Sequence, residues 1–324
     1  ITYVNDKFKV ITLNNKMQIG LSRYELKKGH HYHDYDLVFD NVNVKKTVIR
    51  RDFSINALLY DYNNKKMIDL VNGINDLNHR LLRMVNKHKF SEDSSRVLRL
   101  LKFKFTYNLD VEEKTRKQAI KMDSYLWEQP YYLCNKLFKS IIKAPYFDFD
   151  DFAYYLQHFL LIDDLIKCIS RSQYHPEKTL YNHIKGNILA LQLFMDDLSN
   201  KEYYLLFWTL FFHDYGKIVN SKKHAQLSVE YFEKYQLYFF DSPKQITLVK
   251  ELINDHMRIR EYALSNKTSA MARLKQKYGH DFKYLEYVGL CDYAGRSIDF
   301  SIKEIKMRMT WFEDNVLAKY RVIK

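Results

Sequence analysis

An adjacent pair, His213-Asp214, follows the strongly apolar stretch YYLLFWTLFF. Its residue types make it the sequence feature best suited to catalysis or metal binding. Residues of the same type lie at intervals around it, with His183 upstream and Asp292 downstream. Burial of such groups is costly unless they are paired or bound to a metal. A lone histidine is most often structural, whereas a His-Asp pair at the end of a buried helix favours a functional site.

Two further clusters combine arginines with carboxylates. They are Arg50-Arg51-Asp52 with Asn56, and Glu92-Asp93 with Arg96 and Arg99. On one helix, residues three or four positions apart share a face, so Arg96 would lie beside both Glu92 and Asp93. This arrangement is either an ordinary helix salt bridge or a set of donors and acceptors that pairs with a base edge. Spacing alone leaves both interpretations open.

The composition indicates a folded chain and leaves open whether its partner is acidic. The 324 residues suggest two or three domains, and a hydrophobic content of 47% allows a sizeable core. The net charge of +13 favours nucleic acid, although a generally lysine-rich composition explains it equally well. Cys134, Cys168 and Cys291 form no CxxC pair and indicate a reducing, cytoplasmic compartment. No apolar run of about 18 residues and no signal peptide is visible.

A mostly helical chain must position these residues, because only 8 glycines and 4 prolines occur. Alternating polarity over residues 7–23 predicts two short strands, and a hairpin is predicted around Asn63-Asn64. Ser91 has the residue type of a helix N-cap, and helical periodicity dominates after it. We predict three parts, which cover residues 1–82, 83–150 and 151–324.

The middle part carries an excess of positive charge. Residues 84–143 hold 13 Lys and Arg against 7 Asp and Glu, a net charge of +6. Such charge suits either a phosphate backbone or a solvated helix face.

Three stretches resemble consecutive motifs of the bacterial tRNA nucleotidyltransferases (CCA-adding enzymes) and poly(A) polymerases. They are RRDFSINALLYD, MIDLVNGINDLNHRLLRMV and FSEDSSRVLRLLKFKFTYNL, in matching order and spacing. The resemblance implies a mostly α fold with a small α+β part: a remnant of a nucleotidyltransferase head with short antiparallel strands, a helical neck and body, and a helical C-terminal domain. It also implies addition or repair of CCA at tRNA 3′ ends from CTP and ATP, with Mg²⁺.

The same resemblance implies roles for individual residues. The ribose and phosphates of the incoming nucleotide would be contacted by Arg51, Asp52 and Asn56. A flexible element that helps to shape the pocket would contain Asp69, Gly73, Asp76 and Arg80. A protein template for C and A would consist of Asp93 and Arg96, supported by Glu92 and Arg99.

One part of the family pattern is not visible. The family holds its catalytic metal with an Asp-x-Asp after a Gly-Gly, whereas residues 1–24 contain no Gly-Gly and only Asp6 as a carboxylate. Asp34 and Asp36 have the spacing of a same-face pair on a strand, near His30, His31 and His33. We interpret this pair as fortuitous, because it follows no glycine-rich turn and lies downstream of SRYELKKG. We expect that roughly 50–60 residues of a family head are missing and that the transferase site is incomplete.

The stretches YHPEKTLYNH, HDYGK and CDYAGR resemble the HD-type phosphohydrolase domain found in many bacterial CCA-adding enzymes. This implies one divalent metal, such as Mn²⁺, Ni²⁺ or Mg²⁺, held by His183, His213, Asp214 and Asp292. Asp214 and Lys217 would be catalytic, since the metal polarises a phosphoryl group and Lys217 stabilises developing negative charge. His224 and His256 are either additional ligands or phosphate contacts, or nearby supporting residues.

Three hypotheses follow. The first is a tRNA nucleotidyltransferase family protein whose partners are the tRNA 3′ end, CTP and ATP. The second is a metal-dependent phosphohydrolase that acts on phosphomonoesters or 2′,3′-cyclic phosphates at RNA ends or in nucleotides. The third is a non-catalytic RNA-binding remnant.

Overall fold

The structure, a computed structural model, describes residues 3–14, 17–28, 34–170 and 175–321. Over these ranges the chain is mostly helical with short strands, which confirms the predicted fold class. Two compact units are formed, residues 1–133 with 144–146 and residues 134–143 with 147–324. The division into three parts remains a prediction.

All of the described strands lie in the first unit. They are β1 (Tyr3–Asn5), β2 (Val10–Thr12), β3 (Gln18–Gly20), β4 (Tyr24–Lys27), β5 (Tyr35–Val38), β6 (Leu59–Asp61), β7 (Lys66–Ile68), β8 (Leu81–Leu82) and β9 (Asp110–Val111). β1, β2 and β3 form an antiparallel sheet, β4 pairs with β5 and β6 with β7 antiparallel, and β8 and β9 are parallel. The paired β2 and β3 confirm the strands predicted over residues 7–23. The hairpin around Asn63-Asn64 is confirmed between β6 and β7.

Helices occur in both units and make up most of the second. They are α1 (Val44–Ile49), α2 (Gly73–Asn78), α3 (Lys87–Ser91), α4 (Ser95–Tyr107), α5 (Glu113–Met122), α6 (Tyr131–Ile142), α7 (Phe149–Tyr155), α8 (Ile162–Lys167), α9 (Leu180–Gln192), α10 (Asn200–Phe212), α11 (His224–Phe239), α12 (Pro243–Asp255), α13 (Arg258–Leu264), α14 (Thr268–Tyr278), α15 (Phe282–Ala294), α16 (Ile302–Phe312) and α17 (Ala318–Arg321). In the described ranges, no helix combines the length and the apolar character needed to cross a membrane.

The predicted N-cap at Ser91 is wrong. Ser91 is the last residue of α3, where its hydroxyl donates to the carbonyl oxygen of Lys87 at 2.8 Å. The long helix α4 begins four residues later, and the carboxylate of Asp93 accepts the backbone N–H of Ser95 at 2.9 Å. Asp93 therefore satisfies a free N–H group at the start of α4, whereas the sequence pattern had predicted that Ser91 would do so.

In the first unit, Phe53 explains why an apolar run follows three charged residues at 50–52. Its side chain is fully buried and meets the rings of Phe90 and Phe103 edge-on, with centroid distances of 5.8 and 5.7 Å. Aromatic pairs prefer this geometry. The ring therefore anchors the segment in the core and fixes the position of the charged residues before it.

In the second unit, α10 is the central helix. It begins with a capping box in which Ser199 and Glu202 exchange side-chain and backbone hydrogen bonds. Every residue from Tyr203 to Phe212 is buried, because other helices cover α10 on all sides. A helix that is apolar all round belongs in a core. Its C-terminal end therefore delivers His213 and the residue after it into the interior.

Candidate functional site

Six buried side chains form what we call the His–Asp cluster in the second unit. Its members are His183, His213, Asp214, His224, His256 and Asp292. All six come from the ends of helices. His183 lies in the first turn of α9 and Asp292 in the last turn of α15, while His213 follows α10, His224 begins α11 and His256 follows α12.

Two glycines allow these helices to approach one another closely. A Cβ atom on Gly186 of α9 would overlap with the backbone of Gly295, the residue after α15. A Cβ atom on Gly216 would overlap with the carbonyl oxygen of His224 at the start of α11. Because only glycine fits these contacts, a larger residue at either position would separate the helix ends that carry the cluster.

Four predicted ligands surround the first group of facing atoms. The Nε2 atom of His183 lies 2.9 Å from Asp292 Oδ1 and 3.3 Å from Asp214 Oδ2. The Nε2 atom of His213 lies 3.3 Å from Asp214 Oδ2 and 3.5 Å from Asp292 Oδ1. Residues separated by more than a hundred positions in the sequence therefore point their donor atoms at one place.

The second group surrounds the other oxygen of Asp214. Asp214 Oδ1 lies 3.2 Å from the Nε2 atom of His224 and 3.6 Å from that of His256, and the two Nε2 atoms are 3.4 Å apart. These three side chains form a separate set of potential metal ligands. Asp214 thus belongs to both groups and contributes one oxygen to each.

Backbone contacts fix the orientation of the histidine rings. His213, His224 and His256 each donate from Nδ1 to the carbonyl oxygen of the residue three positions earlier. These acceptors are Leu210 at 2.8 Å, Ser221 at 2.8 Å and Ile253 at 2.6 Å. A carbonyl oxygen can only accept, so the proton of a neutral imidazole lies on Nδ1 and Nε2 carries a lone pair. This is the tautomer that binds a metal through Nε2.

The cluster therefore brings acceptor atoms together without enough donors. Among the described residues, the buried Nε2 of His213 and Oδ1 of Asp214 have no hydrogen-bond partner. Lone pairs and carboxylate oxygens at such distances repel one another unless a cation or protons lie between them. Imidazole nitrogen and carboxylate oxygen are ligands that suit Mn²⁺, Ni²⁺, Fe²⁺ or Mg²⁺. The residues present thus fit a bound divalent cation.

The two carboxylates are ionised in this environment. Burial alone raises the pKa of Asp214, but the charges of Lys217 and His213 hold it well below its usual value. Burial also raises the pKa of Asp292, but the charge of Arg296 and hydrogen bonds with the histidines lower this pKa well below its usual value. The Nζ atom of Lys217 donates to Asp214 Oδ2. The cluster consequently offers fixed negative charge to a cation, beside two basic side chains that suit an anionic substrate.

A cavity of about 600 Å³ adjoins the cluster. Its lining includes His175, Glu177, His183, Lys217, His224 and Arg296. Two of these lining residues, Glu177 and Arg296, were not predicted as part of the site. Glu177 Oε1 faces His183 Nδ1 at 3.1 Å and His175 Nδ1 at 2.8 Å. The only sequence signal for Glu177 is its place between His175 and His183 in the motif YHPEKTLYNH.

In the first unit, Asp52 is the centre of the arginine-carboxylate region. It is buried, accepts from Asn56 Nδ2 at 2.9 Å and is paired with the Nε of Arg99. Burial raises its pKa, but the charge and hydrogen bond of Arg99 have a larger, opposite effect, so that the net pKa falls below its usual value. The structure thus brings together three of the predicted nucleotide-binding residues. Arg51 precedes Asp52 and is half-buried.

The predicted pairing of Arg96 with Glu92 and Asp93 is corrected by the structure, whereas Arg96 and Arg99 do lie three positions apart on one helix. Glu92 follows α3 and pairs with Lys89 at 3.0 Å, whereas Arg96 and Arg99 belong to α4. Arg96 is buried and donates to two backbone carbonyl oxygens, of Lys89 at 2.6 Å and of Arg50 at 3.0 Å. Because a helix boundary intervenes, the i,i+3 and i,i+4 pairing inferred from the sequence does not form.

The second predicted element of the head is joined to the same segment. Asp76 is fully buried and accepts from Ser54 Oγ at 2.5 Å and from Arg83 Nη2 at 2.6 Å. The carboxylate of Asp69 accepts backbone N–H groups at the start of α2, including that of Gly73 at 2.9 Å. Arg80 donates to the carbonyl oxygen of Asn108 at 3.1 Å. The flexibility predicted for this element remains a prediction.

The Asp34-x-Asp36 pair lies at β5. Asp36 forms an exposed ion pair with Lys28 at 2.5 Å, and neither aspartate belongs to a group of potential metal ligands among the described residues. His30, His31 and His33 lie outside the described residues.

Comparison with known proteins connects both units to one family. Residues 3–83 match the family described as the poly A polymerase head domain. A multifunctional CCA protein of Acinetobacter baumannii is 27% identical over 262 residues, which are 77% of this chain and 60% of that protein. One from Xylella fastidiosa is 40% identical over 87 residues, which are 26% of this chain and 21% of that protein. The chain therefore spans 60% or less of the length of these curated relatives.

A solved structure extends the likeness of fold. The Thermotoga maritima CCA-adding enzyme complexed with tRNA covers 95% of this chain, with a TM-score of 0.57 and 15% identity, and 67% of its own length is matched. At this identity the similarity concerns the fold. Together with the matched head domain and the curated relatives, it supports a relationship of this chain to the tRNA nucleotidyltransferases and poly(A) polymerases.

Proposed function

We propose that this protein takes part in the addition or repair of CCA at tRNA 3′ ends, with CTP and ATP as substrates, in the cytoplasm. The observation that carries the proposal is the buried Asp52 with its partners Asn56 and Arg99, because Asp52 and Asn56 lie within the residues that match the head domain. The family relationship implies a divalent metal, and we propose Mg²⁺ for the transfer step. The names of the relatives, CCA proteins and a CCA-adding enzyme complexed with tRNA, support the substrates.

The proposed roles follow from which atoms remain accessible. The side chain of Arg99 is 43% exposed, so it can turn part of its guanidinium to a nucleotide while it pairs with Asp52. Arg51 and Asn56 would contact the ribose and phosphates. In the proposed template of Glu92, Asp93, Arg96 and Arg99, the guanidinium of Arg96 already donates to two carbonyl oxygens. Arg96 would therefore have to exchange one of these bonds to read a base.

Two measurements test this proposal. The first is incorporation of labelled CMP and AMP into tRNA that lacks CCA, in the presence of Mg²⁺; no incorporation would exclude transfer by this chain. The second is equilibrium binding of CTP and ATP to the wild type and to Asp52→Asn. We expect weaker binding in this variant and no change in Asp110→Asn, a matched substitution at an exposed position of the same unit.

A second function is favoured by a different observation, the His–Asp cluster. We propose that the second unit is a metal-dependent phosphohydrolase, with His183, His213, Asp214 and Asp292 as metal ligands. His224 and His256 would complete a second set of ligands at the other oxygen of Asp214. These roles are supported by the buried Nε2 of His213 and Oδ1 of Asp214, which find no hydrogen-bond partner in the part of the chain that the structure describes. The proposed ions are Mn²⁺, Ni²⁺ or Mg²⁺.

The side chains around the cavity account for substrate binding. A bound divalent cation would supply Lewis-acid polarisation of a phosphoryl group and acidify a water molecule. Lys217 lines the cavity and would stabilise the negative charge that develops on the phosphoryl oxygens. With a 2′,3′-cyclic phosphate, water adds to phosphorus, one P–O bond to the ribose breaks, and the released oxygen takes a proton. Glu177 would hold His183 in its orientation.

Hydrolysis of adenosine 2′,3′-cyclic phosphate and of phosphomonoesters, with each of the three metals, tests this second function. We expect activity that disappears in Asp214→Ala together with the bound metal. If Asp214→Ala changes neither metal content nor hydrolysis, the assignment is wrong. If the wild type neither transfers nor hydrolyses but binds tRNA, the non-catalytic RNA-binding hypothesis is the one that remains.

A further inference from the structure

Two arginines of the second unit share one aromatic ring. The guanidinium carbon of Arg260, in α13, lies 5.4 Å from the ring centroid of Tyr293, and that of Arg296 lies 5.9 Å from the same centroid. Tyr293 is itself stacked on Trp311 at 4.6 Å. Cation–π attraction holds a guanidinium near such a ring, and the stack limits the movement of the ring. Two positive charges therefore lie against the same ring.

These guanidiniums have more donors than nearby acceptors. The Nε atoms of both are buried, and within the described ranges neither has a hydrogen-bond partner. Arg296 reaches Asp292 Oδ2 only through a long contact of 3.5 Å. Burial and the neighbouring charge of Arg296 lower the pKa of Arg260, as expected for like charges held together. A buried N–H without an acceptor is costly, so this arrangement suits an anionic ligand that supplies the acceptor atoms.

The arginine pair lies beside the His–Asp cluster. Asp292 separates the two, because its Oδ1 faces His183 at 2.9 Å while its Oδ2 faces Arg296. Arg296 also lines the cavity, as do Lys217 and Met257, the latter three residues before Arg260. An anion at the arginine pair would therefore lie close to a phosphoryl group at the cluster but would not coincide with it.

We propose that Arg260 and Arg296 bind the phosphodiester that precedes the reacting terminal phosphate, so that the substrate is an RNA 3′ end of at least two nucleotides. The proposal deepens the phosphohydrolase function and rests on it for the reacting phosphate. Guanidinium recognises phosphate oxygens through paired, charge-assisted hydrogen bonds. A nucleoside 2′,3′-cyclic phosphate has only the reacting phosphate and leaves the arginine pair without its acceptor.

Three substrates separate the effect of the preceding phosphate from that of the preceding nucleoside. They are adenosine 2′,3′-cyclic phosphate, the same compound with a 5′-phosphate, and adenylyl-adenosine with a terminal 2′,3′-cyclic phosphate. We expect the wild type to hydrolyse the second and third with a kcat/KM about tenfold or more above that of the first, as for a charge-assisted bond. Arg260→Gln should remove this advantage and leave the kcat/KM for the first substrate unchanged.

Arg258→Gln is the matched control. Arg258 lies on the same helix but pairs with Asp255 at 3.1 Å, and we expect it to keep the preference. Arg260→Lys should restore part of it, because the charge is kept. Equal kcat/KM for all three substrates in the wild type would overturn the proposal, and so would a preference that persists in Arg260→Gln. A gain with the dinucleotide but none with the 5′-phosphate would also overturn it, since it would indicate recognition of the additional nucleoside.

A binding measurement separates this proposal from the phosphohydrolase function. Fluorescence anisotropy of a labelled dinucleotide with a 3′-phosphate is measured with wild type and Arg260→Gln, each checked for folding by circular dichroism. If no substrate is hydrolysed but Arg260→Gln binds the dinucleotide about tenfold more weakly, the hydrolytic function fails and the anion site stands. Equal binding by both proteins means that the arginine pair is not the site.

Discussion

The carboxylates at the two candidate sites have opposite surroundings. Asp52 in the first unit accepts from Asn56 and Arg99, whereas Oδ1 of Asp214 in the second unit faces the Nε2 atoms of two histidines that donate elsewhere from Nδ1, His224 and His256. The first carboxylate is satisfied by the protein alone. The second, despite its bond from Lys217, keeps a buried oxygen without a hydrogen-bond partner among the described residues. A ligand must therefore exchange contacts at the first site, while a cation would complete the second.

This difference has a consequence for stability. A ligand that binds only the folded state stabilises it in proportion to the logarithm of its concentration relative to Kd. Divalent cations should therefore raise the unfolding temperature of the second unit strongly, because they replace repulsion between acceptor atoms. Nucleotides should have a smaller effect on the first unit, where binding replaces existing hydrogen bonds.

The largest effect is expected for Asp214→Asn. This change removes the negative charge of a carboxylate that contributes one oxygen to each group of ligands. Metal affinity should therefore fall by at least about a hundredfold. Isothermal titration with Mn²⁺ and metal analysis after dialysis measure the loss. Asp241→Asn, at an exposed position of the same unit, should bind metal like the wild type. Undiminished Mn²⁺ binding by Asp214→Asn would mean that the contrast between the two sites is false.

The second prediction concerns pH. Burial lowers the pKa of His183, but Asp214, Asp292 and Glu177 raise it, to about 10 in the metal-free protein. His183 must lose a proton before its Nε2 can bind a metal, so affinity should rise with pH below this value, by up to about tenfold per pH unit. Mn²⁺ titrations between about pH 6 and pH 8 measure the slope. Nucleotide binding at Asp52, whose pKa is lowered, should be constant over this range.

A variant identifies the origin of the slope. Glu177→Gln removes one of the carboxylates that raise the pKa of His183, so the affinity should level off at a lower pH. In the metal-free protein, a raised histidine pKa stabilises the fold below the unfolded value of about 6.5, and this contribution is lost as pH rises towards 10. An affinity that is flat between pH 6 and pH 8 would contradict a protonated His183.

The third prediction is that Asp52→Asn lowers the free energy of unfolding of the first unit by about 2 kcal/mol. The change leaves Arg99 without its carboxylate partner, and loss of one member of a buried pair is destabilising; the partial exposure of Arg99 reduces the effect. Urea denaturation without nucleotide measures it, with Asp110→Asn as the control. An unchanged free energy would indicate that Asp52 is not satisfied by the protein, contrary to the proposed difference between the sites.

The two sites also differed in how well the sequence predicted them. The resemblance to HD-type domains implied the four residues His183, His213, Asp214 and Asp292 that meet in the structure. The apolar helix before His213 and Asp214 accounts only for the inward-facing position of that pair. Glu177 was not predicted as part of the site, since a single acidic residue before a helix has no distinctive pattern. Arg260 lies in α13 and Arg296 follows α15, and only tertiary packing brings them to one tyrosine ring.

In the first unit, the sequence predicted the fold class and the hairpin but misassigned one helix boundary. The run from Ser91 to Arg99 contains good helix-forming residues, and local periodicity cannot reveal that α3 ends and α4 begins within it. The acceptors of Arg96 lie on Lys89 and on Arg50, which is 46 residues away. Such distant backbone partners are determined by packing and are invisible to an analysis of side-chain spacing.

The smallest effect is expected for Arg96→Lys. Lysine keeps the charge but cannot bond to the carbonyl oxygens of Lys89 and Arg50 with the geometry of a guanidinium, so unfolding free energy should fall by about 1 kcal/mol. The ratio of CTP to ATP affinity, measured by titration, distinguishes the two roles of Arg96. A ratio equal to that of the wild type would limit Arg96 to joining the two backbone segments. A changed ratio, with the same loss of stability, would mean that it also reads the base, because backbone bonds alone do not discriminate C from A.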